Sequence, residues 1–209
     1  MPDSRTRLTP LAVVVLGLLR EGDMHPYEMR RLIRERRDDR LVSIANGTFY
    51  HVVGRLERDG LIVPVGVDRQ GGRPERTTYS LTDTGRSAET TWLRRELPRI
   101  DNLMEYRVAL AEAHVLPREE VARLLTLRRD ALAAHRQDLR SGVTAAEDRG
   151  VPFQFLVELE RETALLDADL AWLDTLLTRL ADPGTAWGIH ELPPTTRERL
   201  TACRESVLA

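Results

Sequence analysis

The sequence predicts a mainly α-helical protein with a small two-stranded β-wing: an N-terminal winged helix-turn-helix plus a C-terminal α-helical dimerisation domain. Three observations predict this fold class. Three short helical patterns fill the first 60 residues, two β-rich alternating segments then flank a glycine pair, and only helical periodicity follows. Helix, helix, helix, strand, loop, strand is the element order of a winged helix-turn-helix.

The first predicted helix opens with residues that favour helix initiation. Thr9 is a good N-cap, and Pro10 suits the first helical position. The helix continues through Leu11–Arg20, and Gly22 follows where a left-handed cap is expected. Because apolar residues cover most of its circumference, we expect this helix to be buried at the centre of the domain.

The next two predicted helices are amphipathic. The second begins near His25-Pro26, and the polar stretch Asp38–Arg40 ends it. The third runs from about Asn46 to Asp59, and Gly60 stops it. Its core side is indicated by apolar residues at helical spacing, namely Phe49, Val53 and Leu56.

A β-hairpin is predicted after the third helix. Leu61–Val67 and Thr77–Leu81 are rich in β-forming residues and flank a loop that contains Gly71 and Gly72. A glycine pair between two such segments favours a hairpin turn. Thr82 then caps a fourth helix, which begins at Asp83 and continues past Trp92.

The remainder of the chain is predicted to be helical. A segment at Asn102–Val115 precedes two long helices, Pro117–Arg140 and Pro152–Leu180, which Gly142–Gly150 joins as an antiparallel pair. A short amphipathic helix, Thr195–Leu208, closes the chain, with an expected apolar side of Leu200, Cys203 and Val207. We divide the chain into a winged domain (1–90), a helical dimerisation and effector domain (91–182) and a C-terminal extension (183–209).

Composition excludes several classes of protein. The net charge of -2 gives no hint of a nucleic-acid partner, and 42% hydrophobic with 31% charged residues is typical of a globular protein. The single Cys203 excludes an internal disulfide and a multi-cysteine zinc site. The longest apolar run, Leu11–Leu19, is about half of a membrane span. With no secretion-signal pattern at the N-terminus, we expect a cytoplasmic protein without a membrane partner.

Catalysis is not indicated by the sequence. The five histidines, His25, His51, His114, His135 and His190, are scattered and have no carboxylate or cysteine at ligand spacing. Cys203 is interpreted as a packing residue rather than a nucleophile, and there is no glycine-rich phosphate loop. We expect neither an enzyme nor a bound cofactor or metal.

The polar side of the third helix is the candidate for reading double-stranded DNA. Short donors and acceptors early in a helix can reach base edges when its first turns enter a major groove. Gly54 keeps this side narrow. The hairpin tip adds glycines for close approach and arginines for phosphate or minor-groove contact. The candidate residues are Asn46, Thr48, Tyr50, His51, Arg55 and Arg58 on the helix, and Arg69, Gly72, Arg73 and Arg76 on the wing.

Two less specific interpretations compete with DNA binding. A polar helix side is most often only a solvated surface, and arginines at a hairpin tip can lie in solvent without binding a partner. A winged domain can also serve protein–protein contact, with the helical tail as an assembly scaffold, and the near-neutral charge favours that alternative. The occurrence of both features in winged-helix order favours DNA.

Several motifs in register resemble the PadR-like family of transcriptional regulators, over roughly residues 8–90. Pro26 stands where that family commonly has glycine, and Val53 replaces its usual leucine. The motifs are Leu16-Gly17-Leu18-Leu19, His25-Pro26-Tyr27-Glu28, Gly47-Thr48-Phe49-Tyr50, Arg55-Leu56-Glu57, Gly60-Leu61-Ile62, Gly72-Arg73-Pro74 and Tyr79–Arg86. The long helices after the wing resemble the longer subfamily, whose C-terminal helices dimerise. The resemblance implies a homodimeric repressor that binds an inverted-repeat operator and often responds to a small molecule.

The residues themselves also predict a dimer. Leu124, Leu125 and Leu127, with an apolar seam between Phe155 and Leu180, offer more apolar surface than one helical hairpin can bury. A two-fold partner would cover it and would place two reading helices about one DNA turn apart. The alternative is that the tail folds back onto its own winged domain.

An effector pocket is the last prediction from the sequence. The resemblance implies an aromatic-lined gap at the dimer interface for a small aromatic or hydrophobic effector. The candidate residues here are Trp92, Tyr106, Phe155 and Trp172, with Phe153 beside them. The competing interpretation is that these aromatic residues are ordinary core.

Overall fold

The computed structural model describes residues 8–68 and 76–208. These residues form eight α-helices, two β-strands and short 3-10 turns. The helices are α1 (Pro10–Arg20), α2 (Pro26–Glu35), α3 (Asn46–Arg58), α4 (Asp83–Glu96), α5 (Leu103–Ala111), α6 (Arg118–Asp148), α7 (Val157–Ala181) and α8 (Pro194–Leu208); the strands are β1 (Ile62–Asp68) and β2 (Arg76–Leu81). The predicted fold class, mainly helical with a two-stranded antiparallel sheet, is confirmed.

Helix α1 forms the centre of the winged domain. The Thr9 hydroxyl accepts a hydrogen bond from the Ala12 N–H at 3.3 Å, so the predicted N-cap is present. Every residue from Leu11 to Leu19 is buried. Gly22, just past the helix, has φ +147°, a backbone conformation that residues other than glycine rarely adopt.

Local capping also defines α2. His25 accepts at Nδ1 from the Tyr27 N–H, and the Glu28 carboxylate accepts from the His25 N–H at 2.7 Å, which completes a capping box. The helix ends at Glu35, and Arg37 adopts a left-handed conformation with φ 58° that turns the chain into a 3-10 turn at Asp38–Arg40. The predicted break in the second helix is therefore a sharp turn between α2 and α3.

The wing strands pair antiparallel, with Ile62 opposite Leu81 and Asp68 opposite Arg76. The register shifts by one residue between Pro64 and Gly66, which forms a bulge. The sheet is joined to the helices at its base, because Tyr79 exchanges backbone hydrogen bonds with Met24 in the α1–α2 connection.

The long helices α6 and α7 form an antiparallel hairpin. Arg136 and Arg140 both donate to the Asp167 carboxylate, and Arg129 donates to Asp174 at 2.9 Å. The predicted linker at Gly142–Gly150 is wrong in its extent, because α6 continues through Gly142 to Asp148. One internal glycine costs a helix only about 1 kcal/mol, and the Ala-rich residues after it favour helix.

Two other boundaries differ from the sequence prediction. The segment Asn102–Val115 is not one helix, because α5 ends at Ala111 and a 3-10 turn follows at Ala113–Val115. The helix predicted to begin at Pro152 begins at Val157, after a 3-10 turn at Phe153–Phe155. In both places the chain tightens at a helix end, where 3-10 geometry is common.

The C-terminal extension lies against the rest of the chain. Helix α8 packs on α2 of the winged domain, so the last part of the tail does fold back onto it. The predicted apolar side of α8 is wrong, because Leu200 and Cys203 are exposed and only Val207 of the three packs against the core. Within the described residues, no helix is both long and apolar enough to cross a membrane.

Candidate nucleic-acid interface

One side of α3 is exposed to solvent along the whole helix. Phe49, Val52, Val53 and Leu56 pack into the core, and these buried positions fix the rotation of the helix. The opposite side therefore presents polar residues outward: Thr48, Tyr50, His51 and Arg58 are exposed, and Arg55 is half-buried. Asn46 is the first residue of α3, which places it at the end that would enter a groove first.

The two arginines on this side are held loosely. Arg55 Nη2 donates to the Thr9 hydroxyl at 3.4 Å, and Arg58 Nε donates to the Gly54 carbonyl at 3.2 Å. Neither guanidinium forms an ion pair within the part of the chain that the structure describes. Both positive charges are therefore available to an anionic partner at the cost of one long hydrogen bond each, to a neutral acceptor.

Two glycines, Gly47 and Gly54, lie on this side of α3. A Cβ placed at Gly47 or Gly54 would have no atom within 4 Å, so both glycines border open space. Neither glycine has a positive φ that would require it. A glycine inside a helix costs stability relative to alanine, and here no packing contact explains it.

The α3 side continues onto α2 through an aromatic contact. The Arg30 guanidinium lies 6.0 Å from the centroid of the Tyr50 ring, and the Phe49 and Tyr50 rings meet edge to face at 5.9 Å. Arg30, Arg31 and Arg34 line a surface cleft of about 280 Å³ with Tyr27 and Glu35. A band of positive charge on α2 thus borders the polar side of α3.

A side-chain hydrogen bond joins the wing to α3. The Tyr79 hydroxyl donates to Glu57 Oε2 at 2.9 Å. Burial, with a smaller effect of Glu57, raises the pKa of Tyr79 to about 12, so this hydroxyl is a donor at neutral pH. The Thr82 hydroxyl also bonds to the carbonyls of Gly60 and Leu61. The hairpin therefore begins and ends against the C-terminal end of α3.

The predicted wing residues are mostly outside the described residues. Arg69, Gly72 and Arg73 fall in residues 69–75, which the structure does not describe. Arg76 is the first residue of β2, opposite Asp68. The wing contacts remain predictions from the sequence.

The predicted effector residues differ in burial. Trp92 and Tyr106 are core residues, 2% and 4% exposed, whereas Phe155 and Trp172 are 69% and 44% exposed. Phe153 is exposed as well. The two buried rings are accounted for by the core, and a shared pocket would require a second subunit to cover the exposed pair.

The sequence analysis did not predict two buried polar contacts, one between α1 and α4 and one between α5 and α6. Arg20 donates through Nε and Nη2 to Oε2 of the fully buried Glu89, which ties α1 to α4. Buried Arg128 of α6 lies over the Tyr106 ring at 3.4 Å and donates to the Arg99 carbonyl. An arginine and a glutamate 69 positions apart carry no local signal of pairing, because sequence spacing reports only contacts within one element.

The fold is that of a winged helix-turn-helix protein. Residues 15–90 match the model of the family described as Transcriptional regulator PadR-like family, which confirms the resemblance seen in the motifs. The matched residues run from within α1 through both wing strands to within α4, so the resemblance covers the winged domain. No curated protein matches the chain.

Solved structures similar to the chain include two of Bacillus subtilis PadR. The one in complex with operator DNA is 22% identical over 82% of this chain and 99% of that chain, with a TM-score of 0.40. The one in complex with p-coumaric acid is 21% identical over 83% and 100%, with a TM-score of 0.38. The PadR-like transcriptional regulator BC1756 from Bacillus cereus is 18% identical over 81% and 97%, with a TM-score of 0.35. The interface described above therefore stands on the geometry of this chain.

Proposed function

We propose that this protein is a homodimeric, DNA-binding transcriptional repressor that acts in the cytoplasm on an inverted-repeat operator. The observation that carries the proposal is the outward side of α3. It is exposed and polar, its two glycines border open space, and it holds two arginines without ion pairs among the described residues. The core packing of Phe49 and Leu56 fixes the direction in which it faces.

Base reading is assigned to the first half of α3. Asn46, Thr48, Tyr50 and His51 offer donors and acceptors near the helix N-terminus, where side chains reach base edges in a major groove. A helix N-terminus also carries partial positive charge, which favours a nearby phosphate. These side chains would set sequence preference more than overall affinity.

Phosphate contact is assigned to the arginines around that surface. Arg55 and Arg58 lie on α3 itself, and Arg31 and Arg34 lie exposed on α2. On the wing, Arg69, Arg73 and Arg76 would follow the backbone or enter a minor groove, with Gly72 permitting close approach. Contacts of this kind hold the protein on any duplex and carry no sequence information.

Homodimerisation is assigned to the α6–α7 hairpin. Leu165 and Trp172 lie seven residues apart on α7, so they share one side of the helix, and they are 53% and 44% exposed. Leu127 of α6 is 50% exposed. Exposed apolar residues of this size on a packed hairpin are typical of a surface that a second subunit covers.

An effector would act through the dimer. We assign it to a gap between subunits that the partner would close over the exposed rings of Phe155 and Trp172, since Trp92 and Tyr106 are buried within the single chain. A small aromatic or hydrophobic compound fits such a lining. The dimer would leave the operator if the effector binds best to a subunit arrangement in which the spacing of the two reading helices does not match the half-sites.

The salt dependence of duplex binding tests the proposal. The probe is a fluorescently labelled duplex of arbitrary sequence and about three helical turns, titrated between about 50 and 200 mM salt. We expect affinity to fall at least about 100-fold over that range, because released counterions drive binding. Arg73→Gln should weaken binding to every sequence and lower the salt slope by about 1.

A matched control separates the DNA surface from general charge. Arg179→Gln removes an exposed arginine from α7 and should leave duplex affinity within about twofold. A protein–protein scaffold would bind duplex weakly. Affinity that does not change with salt, or an equal loss in Arg179→Gln and Arg73→Gln, would contradict the DNA assignment.

A further inference from the structure

The C-terminal segment 183–208 contacts both the base of the α6–α7 hairpin and the winged domain. It leaves the end of α7, crosses the start of α6, and ends on the winged domain with α8. Hydrogen bonds hold the segment at both ends, and at each end a glycine lies at the point of close contact. The DNA-binding surface and the hairpin assigned to dimerisation are thus joined by one strap.

The first anchor lies at the base of the α6–α7 hairpin. Arg118 Nη1 donates to the carbonyls of Asp182 and Thr185, at 3.3 and 2.9 Å. The Trp187 indole is half-buried against the core, and its Nε1–H donates to the Leu116 carbonyl at 3.0 Å. This end of the segment is therefore fixed to the junction between α5 and α6.

A glycine allows the strap to pass close to that junction. Gly188 has φ +73°, and a Cβ there would lie 3.1 Å from the His114 carbonyl oxygen. A residue with a side chain at position 188 would be strained in backbone conformation and would also crowd the 3-10 turn at Ala113–Val115.

The second anchor lies on the winged domain. The Arg204 guanidinium donates to the Glu21 carbonyl, one of the carbonyls that the end of α1 leaves without a helical partner. A Cβ at Gly22 would lie 2.8 Å from Arg204 Nη2, so the guanidinium would have to shift, and the φ of +147° at Gly22 disfavours a side chain in any case. Val207 packs against the core beside it. Most other side chains of α8 are exposed, so this end depends on few contacts.

The angle between hairpin and winged domain matters for a dimer on DNA. Helix α6 has 31 residues and is about 46 Å long. A change of about 10° at its base would move its far end by about 8 Å, which exceeds two base-pair steps of about 3.4 Å. A dimer that joins through the hairpins therefore needs this angle fixed to match one half-site spacing.

We propose that segment 183–208 is a positioning strap, anchored by Trp187 and Arg204, that fixes this angle and so sets the half-site spacing the dimer accepts. It rests on the proposed function for its role in DNA recognition. Arg204 touches neither the polar side of α3 nor the hairpin, so it acts through the position of the winged domain.

The test compares Arg204→Ala with Arg199→Ala, which removes an exposed arginine from the same helix. Each protein is measured against a single half-site duplex and against inverted repeats whose spacers differ by up to two base pairs. We expect Arg204→Ala to bind the half-site within about twofold of the wild type, because the reading surface is intact. Its preference for the best spacer over the others should fall about tenfold, whereas Arg199→Ala should keep it.

Amide hydrogen exchange tests the anchor without DNA. An isolated helix of 15 residues is marginal in water, so protection of α8 depends on its docking. Arg204→Ala should speed exchange in α8 at least tenfold. Trp187→Phe keeps an aromatic ring but loses the N–H that donates to the Leu116 carbonyl, and it should speed exchange in α8 by a smaller factor. Unchanged exchange in Arg204→Ala would overturn the anchor even if no duplex binds.

Two results with DNA would overturn the positioning role. Spacer preference in Arg204→Ala equal to that of the wild type would show that the strap does not set the spacing. If Arg204→Ala binds every spacer more tightly than the wild type by the same factor, the Arg204 contact inhibits DNA binding instead of setting the spacing. If the wild type binds no duplex at any salt concentration, the proposed function fails, and the exchange experiment still decides whether the strap is docked through Arg204.

Discussion

Tyr79 in β2 donates its hydroxyl proton to the Glu57 carboxylate in α3 at 2.9 Å, while its backbone pairs with Met24. One residue thus joins the wing, the third helix and the α1–α2 connection. The two surfaces assigned to DNA are on separate elements, and this contact holds those elements together. The bond also occupies the one acidic side chain of α3 with an internal partner.

Tyr79→Phe should lower the free energy of unfolding by about 1 to 2 kcal/mol, because it removes a hydrogen bond to a charged acceptor and keeps the ring. Urea unfolding measures the change. Tyr27→Phe is the control, since that ring is 56% exposed on α2. Equal stability of Tyr79→Phe and the wild type would mean that the bond does not hold the wing.

Replacing Glu112 with glutamine should stabilise the protein at neutral pH. Burial, together with Glu89, Asp38 and Glu21, raises the pKa of Glu112 to about 8. An unfolded glutamate titrates at about 4.3, so the unfolded chain loses this proton first, and the free energy of unfolding falls as the pH rises from about 4.3 to about 8. Glu112→Gln removes that loss, on the order of 4 kcal/mol at pH 7.5.

Urea unfolding at several pH values tests the Glu112 prediction. The variant and the wild type should be equally stable near pH 4 and diverge up to about pH 8, with glutamine the more stable. Glu147→Gln, on the exposed end of α6, should show no such divergence. A pH-independent difference between Glu112→Gln and the wild type would contradict the raised pKa.

Two glycines should respond to alanine in opposite directions. At Gly54 a Cβ enters open space, so alanine should raise the free energy of unfolding by about 1 kcal/mol through helix propensity. At Gly85 a Cβ would collide with the Leu61 carbonyl oxygen, so alanine should lower it by about 2 kcal/mol or more. Thermal or urea unfolding measures both. A destabilised Gly54→Ala would show that the α3 side is not open.

Trp172→Glu should convert the proposed dimer into monomers, because it places a charge among exposed apolar side chains that a partner would bury. Sedimentation velocity over a range of protein concentrations measures the change. Ala171→Glu adds the same charge at an exposed neighbouring position on another side of α7 and should leave the dimer intact. A wild type that sediments as a monomer at all concentrations would refute dimerisation.

The winged domain could be predicted from sequence because its signals are local. Thr9 and Pro10 define a helix start, Gly60 a helix end, and the glycine pair a hairpin, each within a few residues. The spacing of Phe49, Val53 and Leu56 also gave the buried side of α3, and with it the exposed side.

The tail was harder to predict because its contacts join distant segments. Periodicity assigned Leu200 and Cys203 to a buried side, but α8 rests on Arg204 and Val207, and Arg204 contacts Glu21, 183 positions earlier. The aromatic residues Trp92 and Phe155 likewise looked alike in sequence, yet one is in the core and the other is exposed. Burial depends on the packing of whole elements, which spacing within one helix does not report.

Selection of bound duplexes from a random pool tests the central claim most directly. The wild type should enrich an inverted repeat with half-sites about one helical turn apart. Tyr50→Ala and His51→Ala should enrich altered or weaker sequences while still binding duplex DNA. A pool that stays random with the wild type, or the same motif from all three proteins, would contradict the assignment of base reading to the outer side of α3.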